Sequence, residues 1–224
     1  MKTVIFDLDG TLADTSGDLI AAANACFQQM GQGDILCPDG DAATAFHGGR
    51  AMLKLGLERL KHPDIEGQIA QWYPVLLQAY GAQIDRYTVL YPGVMEAVDA
   101  LCGAGYKVGI CTNKPEALAE TLLQRLGVRG AFGSMIGADT LPVRKPNPEP
   151  LRQAVLRAGG DPAQSLLIGD TVTDRKTAAA MGVPSVLVTF GPEGRAVAAL
   201  NPEALLDHYD DLLGLVGDLL GPAA

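Results

Sequence analysis

Short apolar runs rich in β-branched residues recur along the chain, each closing on a polar or glycine-containing turn. They span residues 3–6, 107–111, 135–136, 166–168 and 185–188. A continuous apolar run of this length predicts a strand buried on both faces, as in a parallel sheet. Helix-period stretches lie between them at 92–103, 114–126, 148–158 and 173–181, with Gly127, Gly159 and Gly182 where C-terminal caps belong. Strands alternating with helices predict an α/β fold, a doubly wound parallel sheet with a Rossmann-like core.

One stretch breaks the rhythm. From about residue 15 to 86 only helical patterns occur, such as 19–30 and 50–60. That gap far exceeds a normal crossover and predicts an α-helical domain inserted after the first strand. The expected organisation is a core of residues 1–14 and 87–224 with a helical cap domain at 15–86. Ser16-Gly17 and residues 85–91 would be its linkers.

Composition narrows the function. The chain has 224 residues, 48% hydrophobic and 19% charged, and a formal net charge of −9. The acidic balance argues against a nucleic-acid or anionic-membrane surface. No apolar run reaches membrane-spanning length, and the N-terminus runs into Asp7 with no room for a signal-peptide core. Cys26, Cys37, Cys102 and Cys111 lack metal-type spacing, so free thiols in a reducing, cytoplasmic setting are expected.

Polar residues cluster just after predicted strands, where ligands of open parallel sheets bind. Asp7-Leu8-Asp9-Gly10-Thr11 follows the first strand and carries two carboxylates that can reach one point; by itself it could be a turn that merely ends the strand. Thr112-Asn113-Lys114 follows the 107–111 strand, with a hydroxyl and N–H groups suited to phosphate, or to a plain helix cap. Gly169-Asp170-Thr171-Val172-Thr173-Asp174 offers hard oxygen donors suited to Mg²⁺, although Asp174 could simply face a helix dipole. Lys145 stands in Arg144-Lys145-Pro146-Asn147-Pro148, a stiff loop, and could keep a neighbouring carboxylate ionised or be an ordinary surface lysine. Four separated segments all supplying what a phosphate and its metal need outweigh the local readings.

Together these segments resemble the four motifs of the haloacid dehalogenase-like hydrolase superfamily, from Asp7–Thr11 through Thr112 and Lys145 to Asp170 and Asp174. The resemblance implies Asp7 as a nucleophile that forms a phospho-aspartate, and Asp9 as general acid/base. It implies Mg²⁺ held by Asp7, the Asp9 carbonyl and Asp170, with Asp174 orienting metal-bound water. Thr112, the Asn113 N–H and Lys145 would hold the phosphoryl oxygens. The presence of Asp9 argues against halide chemistry. The insertion is similar to the superfamily's cap, and its His47-Gly48-Gly49-Arg50 turn resembles that of phosphoglycolate phosphatases. There Arg50 could read a substrate carboxylate or be a solvated helix-start residue. His47 is expected to pack within the cap, and His62 and His208 to lie at the surface. Departures are Arg175-Lys176 and Phe46-His47. The expected function is Mg²⁺-dependent hydrolysis of 2-phosphoglycolate or a similar small phosphate ester. A hexose-phosphate mutase or pyrophosphatase of the same superfamily, and a non-enzymatic receiver-type phospho-acceptor, are the alternatives.

Overall fold

The computed structural model describes residues 1–223. Strands β1 (Thr3–Phe6), β4 (Lys107–Cys111), β5 (Met135–Ile136), β6 (Ser165–Gly169), β7 (Ser185–Val188) and β8 (Ala204–Leu206) form one sheet, in the order β5-β4-β1-β6-β7-β8. Every neighbouring pair is parallel. Two-residue strands β2 (Ala13–Asp14) and β3 (Val89–Leu90) form a second, two-stranded sheet. Strand β8 carries no strong apolar signature, because it is an edge strand with half-exposed positions.

Register places the site. Phe6 lies opposite Ile110 on one side and Ile168 on the other, so the three strands end level. Asp7 donates its N–H to the Ile168 carbonyl at 2.8 Å, and Thr112 its N–H to Ile136 at 2.9 Å. The residues just beyond β1, β4 and β6 therefore emerge together at one edge.

Helices α7 (Glu149–Arg157) and α8 (Val172–Met181) pack on each other and on the sheet, over a buried cluster that includes Ile5, Cys111, Ile136, Leu151 and Leu167. Helix α5 (Val94–Gly103) packs on β4 and on α9 (Leu212–Leu220), while α6 (Glu116–Arg125) lies by β5. Helix α6 starts later than the 114–126 pattern suggests, because Pro115 disfavours a helical Lys114. Thr112 to Lys114 is thus a loop and not a helix N-terminus.

The chain divides into two compact units, Met1–Ala13 with Leu90–Ala224, and Asp14–Val89. The second contains α1 (Ser16–Gln29), α2 (Pro38–Ala45), α3 (Gly49–Arg59) and α4 (Ile65–Ala82), and no strand beyond the ends of β2 and β3. Its interior holds Phe27, Leu53, Leu57, Leu76 and Ile84, all fully buried. Arg59 pairs with buried Asp41, and that guanidinium holds the Asp41 carboxyl below the usual range. Ser16 and Gly17, expected in a linker, belong instead to α1, because Asp14 Oδ1 accepts from both the Ser16 N–H and hydroxyl and starts the helix. Two turns of chain distant in sequence meet at Asp18, whose carboxylate accepts from the N–H groups of Tyr87 and Thr88 and from the Thr88 hydroxyl.

Asp18 is 2% exposed, so removing its carboxylate leaves buried donors unsatisfied. Asp18→Ala should therefore destabilise this unit by about 1–3 kcal/mol. Trp72 is the one tryptophan and lies in α4, so its fluorescence during urea unfolding reports the shift.

Candidate active site

Strand register brings Asp7, Thr112, Lys145, Asp170 and Asp174 into one buried centre. Asp7 is 9% exposed; its Oδ1 accepts from the Leu8 N–H at 2.7 Å and lies 3.0 Å from Lys145 Nζ. The same ammonium donates to Asp174 Oδ1 at 2.6 Å. The Asp174 Oδ2 accepts from the Thr171 N–H and hydroxyl, and more distantly from the Asp170 N–H. Asp174 is thus occupied at both oxygens, anchoring Lys145 with one and the entry to α8 with the other.

Asp170 is fully buried. Its Oδ1 accepts from the Thr11 hydroxyl at 3.0 Å, whereas its Oδ2 has no hydrogen-bond partner among the described residues. Thr11 is held in turn from behind, its carbonyl accepting from the buried Tyr209 hydroxyl at 2.8 Å. Gly10 adopts φ +82°, the left-handed turn that lets this segment double back so that the Gly10 N–H reaches the Ala13 carbonyl.

Asp7, Asp170 and Asp174 can each offer an oxygen within 4.8 Å of the others, in a fully buried group. Burial, then the neighbouring carboxylates, push Asp7 up to about 7 against the pull of Lys145. Burial and the charges of Asp174 and Asp7 likewise raise Asp170 well above the usual carboxylate range. Burial lowers Lys145, but Asp174 and Asp7 outweigh it and hold the lysine charged. Three buried carboxylates around one ammonium, with an orphaned oxygen on Asp170, form a hard-oxygen donor set short of positive charge. A divalent cation fits that deficit in both charge and ligand type.

Asp9 is brought to the same edge but is set differently. Its side chain is 22% exposed, and Lys114 Nζ lies 2.8 Å from its Oδ1. It is not among the three carboxylates that could share a cation through their side chains. The Thr112 hydroxyl oxygen accepts from the Lys114 N–H, so its hydrogen remains for another acceptor. Asn113 is exposed; its side chain donates to the Lys145 carbonyl, tying the two loops, and its N–H has no partner among the described residues. The Lys145–Pro146 peptide is cis.

Arg50 belongs to the helical unit. It is exposed, with its guanidinium 4.7 Å from the centre of the Tyr73 ring. Both glycines before it have local reasons. Gly48 adopts φ +90°, and a side chain at Gly49 would strike Leu76. Glycine richness here is accounted for by folding. His47 is exposed and not packed into an interior; its N–H donates to the Thr44 carbonyl in the turn after α2. Sequence reasoning placed Thr11 and Lys114 in the site segments without a role of their own, and missed Tyr209. Lys114 was discoverable from its place after a strand tip; Tyr209, almost two hundred residues from Thr11, carried no local signal.

A family model described as haloacid dehalogenase-like hydrolase matches residues 4–188, which include Asp7, Asp9, Thr112, Lys145, Asp170 and Asp174. The chain belongs to that family. It is 36% identical over 211 residues to a phosphoglycolate phosphatase of Mesorhizobium japonicum, covering 93% of this chain and 92% of the relative. It is also 36% identical to one of Rhodospirillum rubrum, covering 98% and 91%. A crystal structure described as a predicted phosphoglycolate phosphatase from Haemophilus somnus superposes with a TM-score of 0.83 at 25% identity, covering 96% of this chain and 97% of that one. This hydrolase therefore falls in the phosphoglycolate phosphatase-like branch of its family.

The raised Asp7 gives a stability test independent of activity. Above its unfolded value of 3.8 the cation-free folded protein binds more protons than the unfolded chain. The stability that Asp7 contributes is therefore greatest below that value and is lost as pH rises through about 7. A divalent cation held by this cluster would replace those protons, so the Tm gain it confers should be larger at about pH 8 than at about pH 5. Thermal unfolding with EDTA or Mg²⁺ measures both, and an equal gain at the two pH values refutes the assignment of the cluster.

Proposed function

We propose that this phosphatase is a Mg²⁺-dependent phosphomonoester hydrolase working through a phospho-aspartate on Asp7, with 2-phosphoglycolate or a similarly small phosphate ester as substrate. The observation that carries the reading is the pairing of Asp7 with Lys145 beside the orphaned Asp170 oxygen. A carboxylate attacks a phosphate only if its own charge and that of the dianion are neutralised.

Asp7, Asp170 and the Asp9 carbonyl would hold the ion, which when bound supplies electrostatic screening between the carboxylate nucleophile and the phosphate. Leu8 N–H and Lys145 both contact Asp7 Oδ1, and so fix the direction of the nucleophile. The Thr112 hydroxyl hydrogen, the Asn113 N–H and the Lys145 ammonium would hold phosphoryl oxygens, where charge stabilisation matters most. Asp7 attacks phosphorus and the ester oxygen leaves, taking a proton from Asp9. Asp9 then accepts a proton from water as that water attacks the acyl phosphate, releasing phosphate and restoring Asp7. Asp174 fixes Lys145 throughout.

The relatives named phosphoglycolate phosphatase support the substrate class. The core residues meet only the phosphoryl group, so discrimination among esters needs a further group. Arg50 offers a bidentate cation for a carboxylate.

Activity should vanish in EDTA and return with Mg²⁺. Asp7→Asn should neither turn over nor become labelled, while Asp9→Asn should lose most turnover yet still be phosphorylated by an activated ester. Normal turnover by Asp9→Asn would reverse the roles given to the two acids.

Arg50→Ala should lower kcat/KM for 2-phosphoglycolate by roughly two orders of magnitude, the cost of a lost charge-assisted contact, and spare p-nitrophenyl phosphate. An equal fall for both esters would assign Arg50 to folding, through its stack on Tyr73.

A further inference from the structure

The second lysine of the site, Lys114, has no role in the reading above, yet its setting is as constrained as that of Lys145. Its side chain is 7% exposed, so the four-carbon stem is packed and the ammonium has little freedom. Its backbone is pinned on both sides: the N–H donates to the Thr112 hydroxyl at 3.1 Å, and the carbonyl accepts from Ala138 at 2.9 Å. Pro115 follows and stiffens the same turn. The result is a fixed positive charge 2.8 Å from Asp9 Oδ1.

Asp9 is the reverse case. Asp170 and Asp174 are fully buried, and Asp7 nearly so. Asp9 is 22% exposed at its side chain, so packing alone does not set its direction. The two lysines divide the acids: Lys145 touches Asp7 and Asp174, and Lys114 touches Asp9. Burying an ammonium is costly, and a lysine with only a solubility role would extend outward.

We propose that Lys114 is a positioning residue that acts through Asp9, aiming its carboxylate at the reacting oxygen in both halves of the reaction. The proposal rests on the acid/base role assigned to Asp9 above. No bond is made or broken at Lys114; the proton moves between Asp9, the leaving oxygen and the attacking water. Losing the post lets the carboxylate swing by an ångström or more, a displacement that costs about a hundredfold in rate.

The test compares Lys114→Met with Asp9→Asn and the double variant, all with Mg²⁺ bound. On 2-phosphoglycolate, a poor leaving group that needs a proton, Lys114→Met should lower kcat by about ten- to a hundredfold with KM little changed. On p-nitrophenyl phosphate, which leaves without an acid, the first half should proceed at the wild-type rate. The second half still needs a base, so stopped flow should show a p-nitrophenol burst followed by slow turnover, with phospho-enzyme accumulating. Added to Asp9→Asn, Lys114→Met should cost nothing more, because both remove the same function. Lys114→Arg should recover part of the loss, and Lys114→Gln should repeat it. This pair carries the comparison if Lys114→Met does not fold.

Three results overturn the proposal. A burst slowed as much as turnover would place Lys114 on the phosphoryl group. A raised KM with unchanged kcat would make it a binder of the substrate anion. Wild-type kinetics would make it a structural ion pair. In these cases a crippled Asp9→Asn leaves the acid/base reading standing, whereas normal turnover by Asp9→Asn removes that reading and this proposal together.

Discussion

One ammonium holds this site together. Lys145 lies between Asp7 and Asp174 in a pocket with almost no solvent, and its charge makes a group of buried carboxylates tolerable. Desolvation penalises every ion in such a place, and mutual repulsion adds to the penalty on the acids. Burial first, and then a repulsion among three carboxylates that a single lysine cannot cancel, raise Asp7 and Asp170 above the usual carboxylate range. The fold invests accordingly in placing that one side chain. Asn113 clamps its carbonyl, Asp174 its ammonium, and Thr171 the far oxygen of Asp174. Under the proposed function, the residual negative charge would recruit a cation, and through it phosphate, to a protein of net charge −9.

The sheet was legible because buried parallel strands are written as continuous apolar runs. Residues 3–6, 107–111, 135–136 and 185–188 are strands as the pattern reads, and 166–168 extends by a residue at each end. The segments after β1, β4 and β6 also read correctly as neighbours, since strands that pair in register must end together. What stayed illegible depends on contacts between distant residues. Nothing near Tyr209 signals that its hydroxyl braces the loop after β1, and nothing near Asp18 signals its hold on Tyr87 and Thr88. The start of α6 was misplaced because helical periodicity was followed through Lys114 and past the restriction that Pro115 imposes. Glycines before Arg50 suggested a binding turn, yet backbone conformation and the closeness of Leu76 account for them.

Two kinds of carboxylate coexist a few residues apart. Asp7 is locked by an N–H and a lysine, as would suit the nucleophile proposed above. Asp9 retains contact with solvent, as would suit the acid/base role proposed for it. Both acids lie beyond the end of β1, in the turn that follows it, and there Lys145 meets Asp7 while Lys114 meets Asp9.

Strand β1 occupies an interior position of the sheet, flanked by β4 and β6. On a ribosome it emerges well before either neighbour, β4 following by roughly a hundred residues and β6 by about sixty more. At about 5–20 residues per second, this apolar segment and the acidic loop behind it wait on the order of ten seconds for a first partner. The helical unit Asp14–Val89 is encoded in that interval, and it has a buried interior of its own on which to condense while β1 is still unpaired. The insertion thereby separates two assembly events in time, and the phosphate site is completed only as β6 is delivered. Nascent chains stalled before β4 would expose an unpaired apolar strand next to acids whose lysine partners, Lys114 and Lys145, are not yet made.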